Sequence, residues 1–141
     1  MPTKVEIKEI AAAQSWQIRH EVMWPDKPLH FVQLPEDAAG IHFGLSVEGE
    51  RVSVISLFIK EQQAQFRKFA TLPAFQAQGF GQMLLQHVFA FSSGEGITSV
   101  WYHARTLALG FYLKAGMQPV GETFPRNGID YIRMEKTLAP K

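Results

Sequence analysis

The chain contains no cysteine. That absence excludes a disulfide framework, a thiolate metal site and a cysteine nucleophile. An excess of charge of one sign is also missing. The 14 basic and 13 acidic side chains leave a net charge of +1, too little for a nucleic-acid binder that works by bulk positive charge. No nucleic-acid partner is expected. No apolar run approaches the roughly 18 residues of a membrane-spanning helix. The opening MPTKVEIKEI lacks the apolar core of a secretory signal. A soluble, cytoplasmic protein with no membrane partner is therefore the expectation. The histidines (His20, His30, His42, His87 and His103) show no H-E-x-x-H-type spacing, and no metal is expected. Repeats, low-complexity tracts and linkers are absent as well.

What is present fits one domain over residues 1–141. At 141 residues and 46% hydrophobic, such a chain buries roughly two thirds of its unfolded surface and needs no covalent staple. Val5 and Ile7 alternate with charges, as in a short strand. Residues 11–23 read as a helix with Ile18 and Val22 on one face, stopped by Pro25 and Pro28. Residues 24–38 form a proline-bounded loop. Ile41, Phe43, Leu45 and Val47 alternate strictly and predict a half-buried strand. Over residues 51–60 the alternation slips by one, from Val52 and Val54 to Ile55, Leu57 and Ile59. Two-sided burial or a bulge accounts for that slip. A third strand covers 64–72 and ends at Pro73.

Residues 79–93 predict a long helix striped by Phe80, Leu84, Val88 and Phe91, closed by Gly94 and Gly96. A strand at 98–103 and a helix at 106–115 follow, the latter with Gly116 as its C-cap. Two strands near 117–124 and 129–136, joined at Arg126, Asn127 and Gly128, complete the chain. The order β-α-β-β-β-α-β-α-β-β predicts a mixed α/β (α+β) fold. Its sheet is mostly antiparallel with one central parallel strand pair, and helices lie on both faces.

The segment FATLPAFQAQGFGQMLL (residues 69–85) carries the chemistry. A strand ends, a short loop follows, and Gly79 and Gly81 sit where a helix begins. A helix start offers backbone N–H groups and the positive end of the macrodipole, and glycines admit a ligand close to the backbone. Together these suit a phosphate. No Asp or Glu falls between Glu61 and Glu95, as an anion site requires. Plain packing glycines would read the same way. The segment is not a P-loop, since no GK[ST] follows, nor is it a dinucleotide fingerprint.

Pro73-x-x-Gln76-x-x-Gly79-x-Gly81 resembles the Q/R-x-x-G-x-G/A signature of the GNAT superfamily of acyl-CoA-dependent N-acyltransferases. Ala108-x-x-Phe111-Tyr112-x-Lys114-x-Gly116-Met117 resembles that family's second signature, A-x-x-x-Y-x-K-x-G-F. The element order is similar along nearly the whole chain. GETFPRNGIDYIRM (residues 121–134) is more loosely similar to the C-terminal hairpin of the small ElaA-like bacterial branch.

The resemblance implies acetyl-CoA as cosubstrate. It implies that Gln76, Ala77, Gln78, Gly79, Phe80, Gly81 and Gln82 hold the pyrophosphate through the backbone. It also implies that the main chain of Phe69, Ala70, Thr71 and Leu72 pairs with the pantetheine arm and polarises the thioester. Phe66 and Phe69 are out of step across Arg67 and Lys68, which fits a bulge that frees such donors. Tyr112 matches the family's tyrosine, whose implied role is general acid to the departing thiolate. A tyrosine that only packs on an apolar helix face is the plainer reading of the same residue.

Three positions depart from the pattern. Ala77 and Gln78 replace the frequent Lys or Arg. Arg105 stands where relatives often carry Asn, and could reach the cofactor or simply be solvated. Val100 stands where some relatives place a Glu base. The base is thus open among Glu21, His103, Glu122, Asp130 and a water chain, with His103 first because it closes the strand beside the cofactor strand. Trp24 and Phe31, in the proline-bounded loop, either line the acceptor site or pack in the core, and Glu122 is a further acceptor-side candidate.

The resemblance predicts an N-acetyltransferase that moves an acetyl group directly to an amine of a small molecule or peptide. A non-catalytic acyl-CoA-binding module on the same fold and a nucleotide-phosphate binder are the other two readings, and a homodimer is left open. Asp26, Glu36, Asp37, Glu122 and Asp130, in or beside the acceptor loops, would favour a cationic acceptor. Residues 1–64 carry six basic against nine acidic groups, and residues 65–141 eight against four. The more positive half is the one expected to hold an anionic cofactor.

Overall fold

In the computed structural model, which describes residues 3–138, every expected strand and helix is present. The elements are β1 (Val5–Ile10), α1 (Ala13–Met23), β2 (Ile41–Val47), β3 (Glu50–Lys60), β4 (Gln63–Thr71), α2 (Phe80–Gly94), β5 (Ser99–Arg105), α3 (Leu109–Lys114), β6 (Gln118–Arg126) and β7 (Ile129–Thr137). Short 3-10 turns occupy Leu29–Val32, Asp37–Ala39, Pro73–Phe75 and Thr106–Ala108. The seven strands form one sheet in the order β1-β2-β3-β4-β5-β7-β6. β4 and β5 run parallel, with Gln63–Gln65 opposite Ser99–Trp101. The pairs β1–β2, β2–β3, β5–β7 and β6–β7 are antiparallel. The helices flank this mixed sheet.

The chain forms two compact units. One comprises the chain up to Phe58 together with Phe66–Val88, and the other Ile59–Gln65 together with the chain from Phe89 on. In the first, Ile18 of α1 packs on Val54 and Ala70, with Ile10, Val22, Met23 and Leu72 around them. The slip in β3 comes from two-sided burial, and a register shift to β2 lies just ahead of it. Val52 to Leu57 are all buried, and the register to β2 shifts where Leu45 faces Ser53 but Ser46 faces Arg51. In β4 Lys68 takes φ +53°. This left-handed residue inside a strand is the local twist that the mismatch of Phe66 and Phe69 implies.

In the second unit β5 pairs with β7 from Ser99↔Thr137 to Arg105↔Tyr131. Asn127 at φ +52° and Gly128 at φ +76° make the tight β6–β7 turn. β6 ends the strand order, and Pro119, Pro125 and a register break between Val120 and Phe124 interrupt its free edge. The helix expected over 106–115 is divided. Thr106–Ala108 is a 3-10 turn and α3 starts at Leu109, with no side-chain cap at either start. Uncapped first turns tighten in this way. Among the described residues no helix is long and apolar enough to cross a membrane.

Candidate active site

The loop between β4 and α2 is built by local hydrogen bonds. Gln76 Nε2 donates to the Thr71 carbonyl at 2.9 Å, and Gln78 Nε2 to the Ala74 carbonyl at 3.0 Å. The two glutamine side chains thus brace the turn. Ala77 at φ +60° and Gly79 at φ +89° are both left-handed, and an added Cβ at Gly79 would meet nothing within 4 Å. Gln76, Ala77, Gln78 and Gly79 are exposed, while Phe80, Gly81 and Gln82 are half-buried. The first turn of α2 has no acidic residue. The loop's open backbone, the adjacent helix start and the lack of a carboxylate suit a phosphate group.

Upstream, Phe69, Thr71 and Leu72 are half-buried and Ala70 is buried. Ser53 Oγ donates to the Ala70 carbonyl at 3.1 Å and lies 2.8 Å from Thr71 Oγ1. The Leu72 amide donates to the Val52 carbonyl at 2.8 Å. This end of β4 is therefore fixed to β3.

In the second unit Tyr112 is 6% exposed, its ring 5.3 Å from Tyr102 and 5.0 Å from Phe111. The helix end locks it in place. Gly116 at φ +94° lets the Met117 amide reach the Tyr112 carbonyl at 3.0 Å and the Gly116 amide reach that of Leu113 at 3.0 Å, a Schellman closure. Burial pushes the Tyr112 phenol well above its ordinary pKa. Tyr102 adds to that rise and Arg105 opposes it, so the hydroxyl keeps its proton at neutral pH.

His103 is half-buried between Trp101 and Phe124, each ring 5.0 Å away. Arg126 Nη2 lies 3.4 Å from His103 Nδ1. Arg105 is exposed at the end of β5, and Glu122 is exposed beside the break in β6. Trp24 and Phe31 meet edge to face at 5.1 Å, with Phe31 43% exposed. Phe31 is thus not a core residue.

The largest feature passed over in the sequence centres on Arg19, which is fully buried. Its guanidinium grips Asp37 with two prongs, Nη1 to Oδ2 at 2.8 Å and Nη2 to Oδ1 at 2.9 Å. It also donates to the Val32 carbonyl at 2.9 Å and to Ser56 Oγ at 2.8 Å. Asp37 further accepts from Trp16 Nε1 and from the Leu34 amide, both at 3.0 Å. Burial alone would raise the Asp37 carboxyl. Arg19, the Leu34 amide and Trp16 outweigh it and bring the pKa down to about 2. The one signal in the sequence was an arginine beside Ile18 on the apolar face of α1.

Two of the five acids expected at the acceptor loops are already committed. Asp37 is neutralised by Arg19, and Glu36 pairs with Arg67 at 3.1 Å. Neither is left as a free carboxylate for a cationic acceptor. Lys68, next along β4, is half-buried. Burial and the charges of Arg67 and Arg19 push its pKa down, against the pull of Asp37. Among the described residues no group of three or more His, Asp or Glu is placed to hold a metal ion.

The element order, the parallel pair and the backbone loop ahead of α2 are those of a GNAT-fold acyltransferase, and that is the class of this protein. The model of the acetyltransferase (GNAT) domain matches residues 32–138, and the chain belongs to that family. It is 30% identical to YitI of Bacillus subtilis, an uncharacterized N-acetyltransferase, over 95% of this chain and 97% of that protein. Its fold is similar to that of the ribosomal-protein-S18-alanine N-acetyltransferase of Escherichia coli, with TM-score 0.80 and 17% identity over 98% and 96% of the two chains. It is also similar to a GNAT family acetyltransferase of Elizabethkingia anophelis with acetyl-CoA bound, with TM-score 0.75 and 18% identity over 95% and 98%. The protein is accordingly a GNAT-type acetyltransferase. The superfamily is supported, and the ElaA-like branch is not singled out.

Proposed function

We infer that residues 1–141 act as one N-acetyltransferase domain that moves an acetyl group from acetyl-CoA directly to a primary amine. The observation that carries this reading is Tyr112, a family-matched tyrosine buried so that its hydroxyl stays protonated. Acetyl-CoA, when bound, supplies the activated acetyl thioester. Gln76 to Gln82 would hold its pyrophosphate through backbone N–H groups, with the helix dipole of α2 behind them. The main chain at this end of β4, over Phe69 to Leu72, would lie along the pantetheine arm. Arg105, exposed at the end of β5, is a further candidate for contact with the cofactor.

Tyr112 holds the proton that a departing thiolate needs. His103 is the first candidate to remove the proton of the attacking amine, directly or through water, and Glu122, on β6, is a further candidate. Trp24 and Phe31 would form an apolar wall for the acceptor. With no cysteine, a thioester-linked acyl-enzyme has no residue to form on. The test is Tyr112→Phe. Turnover should fall while the affinity for CoA stays nearly constant. Unchanged turnover in a folded variant would remove Tyr112 from the mechanism.

A further inference from the structure

Three cations and two carboxylates meet around Arg19. Arg19 is committed to Asp37 at 2.8 and 2.9 Å, and Arg67 to Glu36 at 3.1 Å. Lys68 is the third cation. It is half-buried and lies in the field of Arg67, Arg19 and Asp37. Among the described residues it forms no ion pair with a carboxylate. Its backbone is left-handed at φ +53° inside a strand, a conformation that side chains other than glycine resist and that clusters at functional positions. A partly desolvated ammonium beside two guanidinium groups is unfavourable until an anion joins it.

The position of Lys68 says which anion. It directly precedes Phe69–Leu72, the stretch of β4 assigned to the cofactor. The Arg19–Asp37 pair beside it also holds the loop that carries Phe31, through the Val32 carbonyl and the Leu34 amide. Arg67, next to Lys68 in the chain, is tied to the same loop through Glu36 at 3.1 Å. With Glu36 and Asp37 neutralised, the charge left over here is positive.

We propose that Lys68 is the anion anchor of the acceptor site, and that the acceptors are amino-acid-like: a primary amine to be acetylated and a carboxylate held by the Lys68 ammonium. This deepens the acetyl-transfer reading and rests on it. In the reaction the amine nitrogen bonds to the acetyl carbon and the carbon–sulfur bond breaks. The amine's proton goes to the base, and the thiolate takes one from Tyr112. Lys68 keeps its proton throughout and acts only in recognition.

The first test needs no turnover. The wild-type protein is labelled with limiting acetic anhydride, and modification of Lys68 and Lys60 is read by peptide mass spectrometry. N-acetyl-α-amino acids, which mimic the product, should slow labelling at Lys68 several-fold relative to Lys60, and their α-carboxamides should not. Equal labelling of Lys68 with acids and amides overturns the proposal. The second test compares kcat/KM for free α-amino acids with that for their carboxamides. Wild type should prefer the acids by about tenfold or more. Lys68→Gln should bring that ratio near one with an unchanged KM for acetyl-CoA, and Lys68→Arg should keep part of the preference. A ratio that survives Lys68→Gln overturns the anchor. Protection of Lys68 with no amine turned over would instead count against acetyl transfer alone.

Discussion

Arg19 and Asp37 form a two-pronged ion pair, 2.8 and 2.9 Å long, with the arginine fully buried and the aspartate 5% exposed. The pair ties α1 to the loop between Leu29 and Gly40. A buried pair of this kind is costly to break, because removing one partner strands the other charge in a poor solvent. It also makes the molecule acid-sensitive.

The Asp37 carboxyl falls from its ordinary 3.8 to about 2 in the folded protein. Folding therefore favours the carboxylate, and the stabilisation is fully present above pH 3.8 and drains away as pH falls through about 2. The difference amounts to about 2 kcal/mol. Urea unfolding between pH 6 and pH 2 should show this loss in wild type. In Asp37→Asn that part of the acid slope should vanish, with stability at neutral pH lower by about 3–5 kcal/mol. An identical acid slope in the variant would count against the pair.

The same variant should loosen the loop locally. The Leu34 amide donates to Asp37 Oδ2 at 3.0 Å, and an asparagine that presents its NH2 group there cannot accept that bond. Hydrogen exchange at Leu34 should speed up more than at the β3 amides of Val54 and Ile55, which lie in the core. Equal acceleration at all three sites would mean global destabilisation instead.

Gly79 sits at φ +89° with open space where a Cβ would go. Gly79→Ala should therefore cost backbone strain alone, about 1–2 kcal/mol. A small loss in Tm together with weaker CoA binding is expected. Unchanged CoA affinity would mean that the loop conformation does not matter to the cofactor.

His103→Gln should lower the rate at neutral pH by about 10²–10⁴-fold if the imidazole removes the amine's proton. The rate should recover in part at high pH, where more of the amine is already neutral. A variant with the wild-type pH profile would pass the role of base to water or to Glu122.

Much of the scaffold can be read from residue patterns, because strand alternation and helical stripes are local. Ile41 to Val47 alternate, and they form β2. Phe66 and Phe69 are out of step, and Lys68 between them is left-handed. The Asn127–Gly128 turn follows from its residue types. The Arg19–Asp37 pair was not legible in the same way. Eighteen residues separate the two side chains, and nothing local tells a guanidinium on an apolar helix face which carboxylate it will find. Glu36 and Asp37 read as free loop acids for the same reason, although both are paired. Helix 106–115 kept its tyrosine and glycine but lost its first turn to 3-10 geometry, since capping depends on side-chain contacts that the sequence did not signal.

Mass spectrometry of the protein with acetyl-CoA, before and after adding α-amino acids, tests direct transfer most plainly. With acetyl-CoA alone the protein mass should stay unchanged at early times. Thiol release should begin only with an amine acceptor, in step with formation of the N-acetyl product. Stoichiometric acetylation of the protein before any amine is added, followed by transfer from it, would contradict direct transfer.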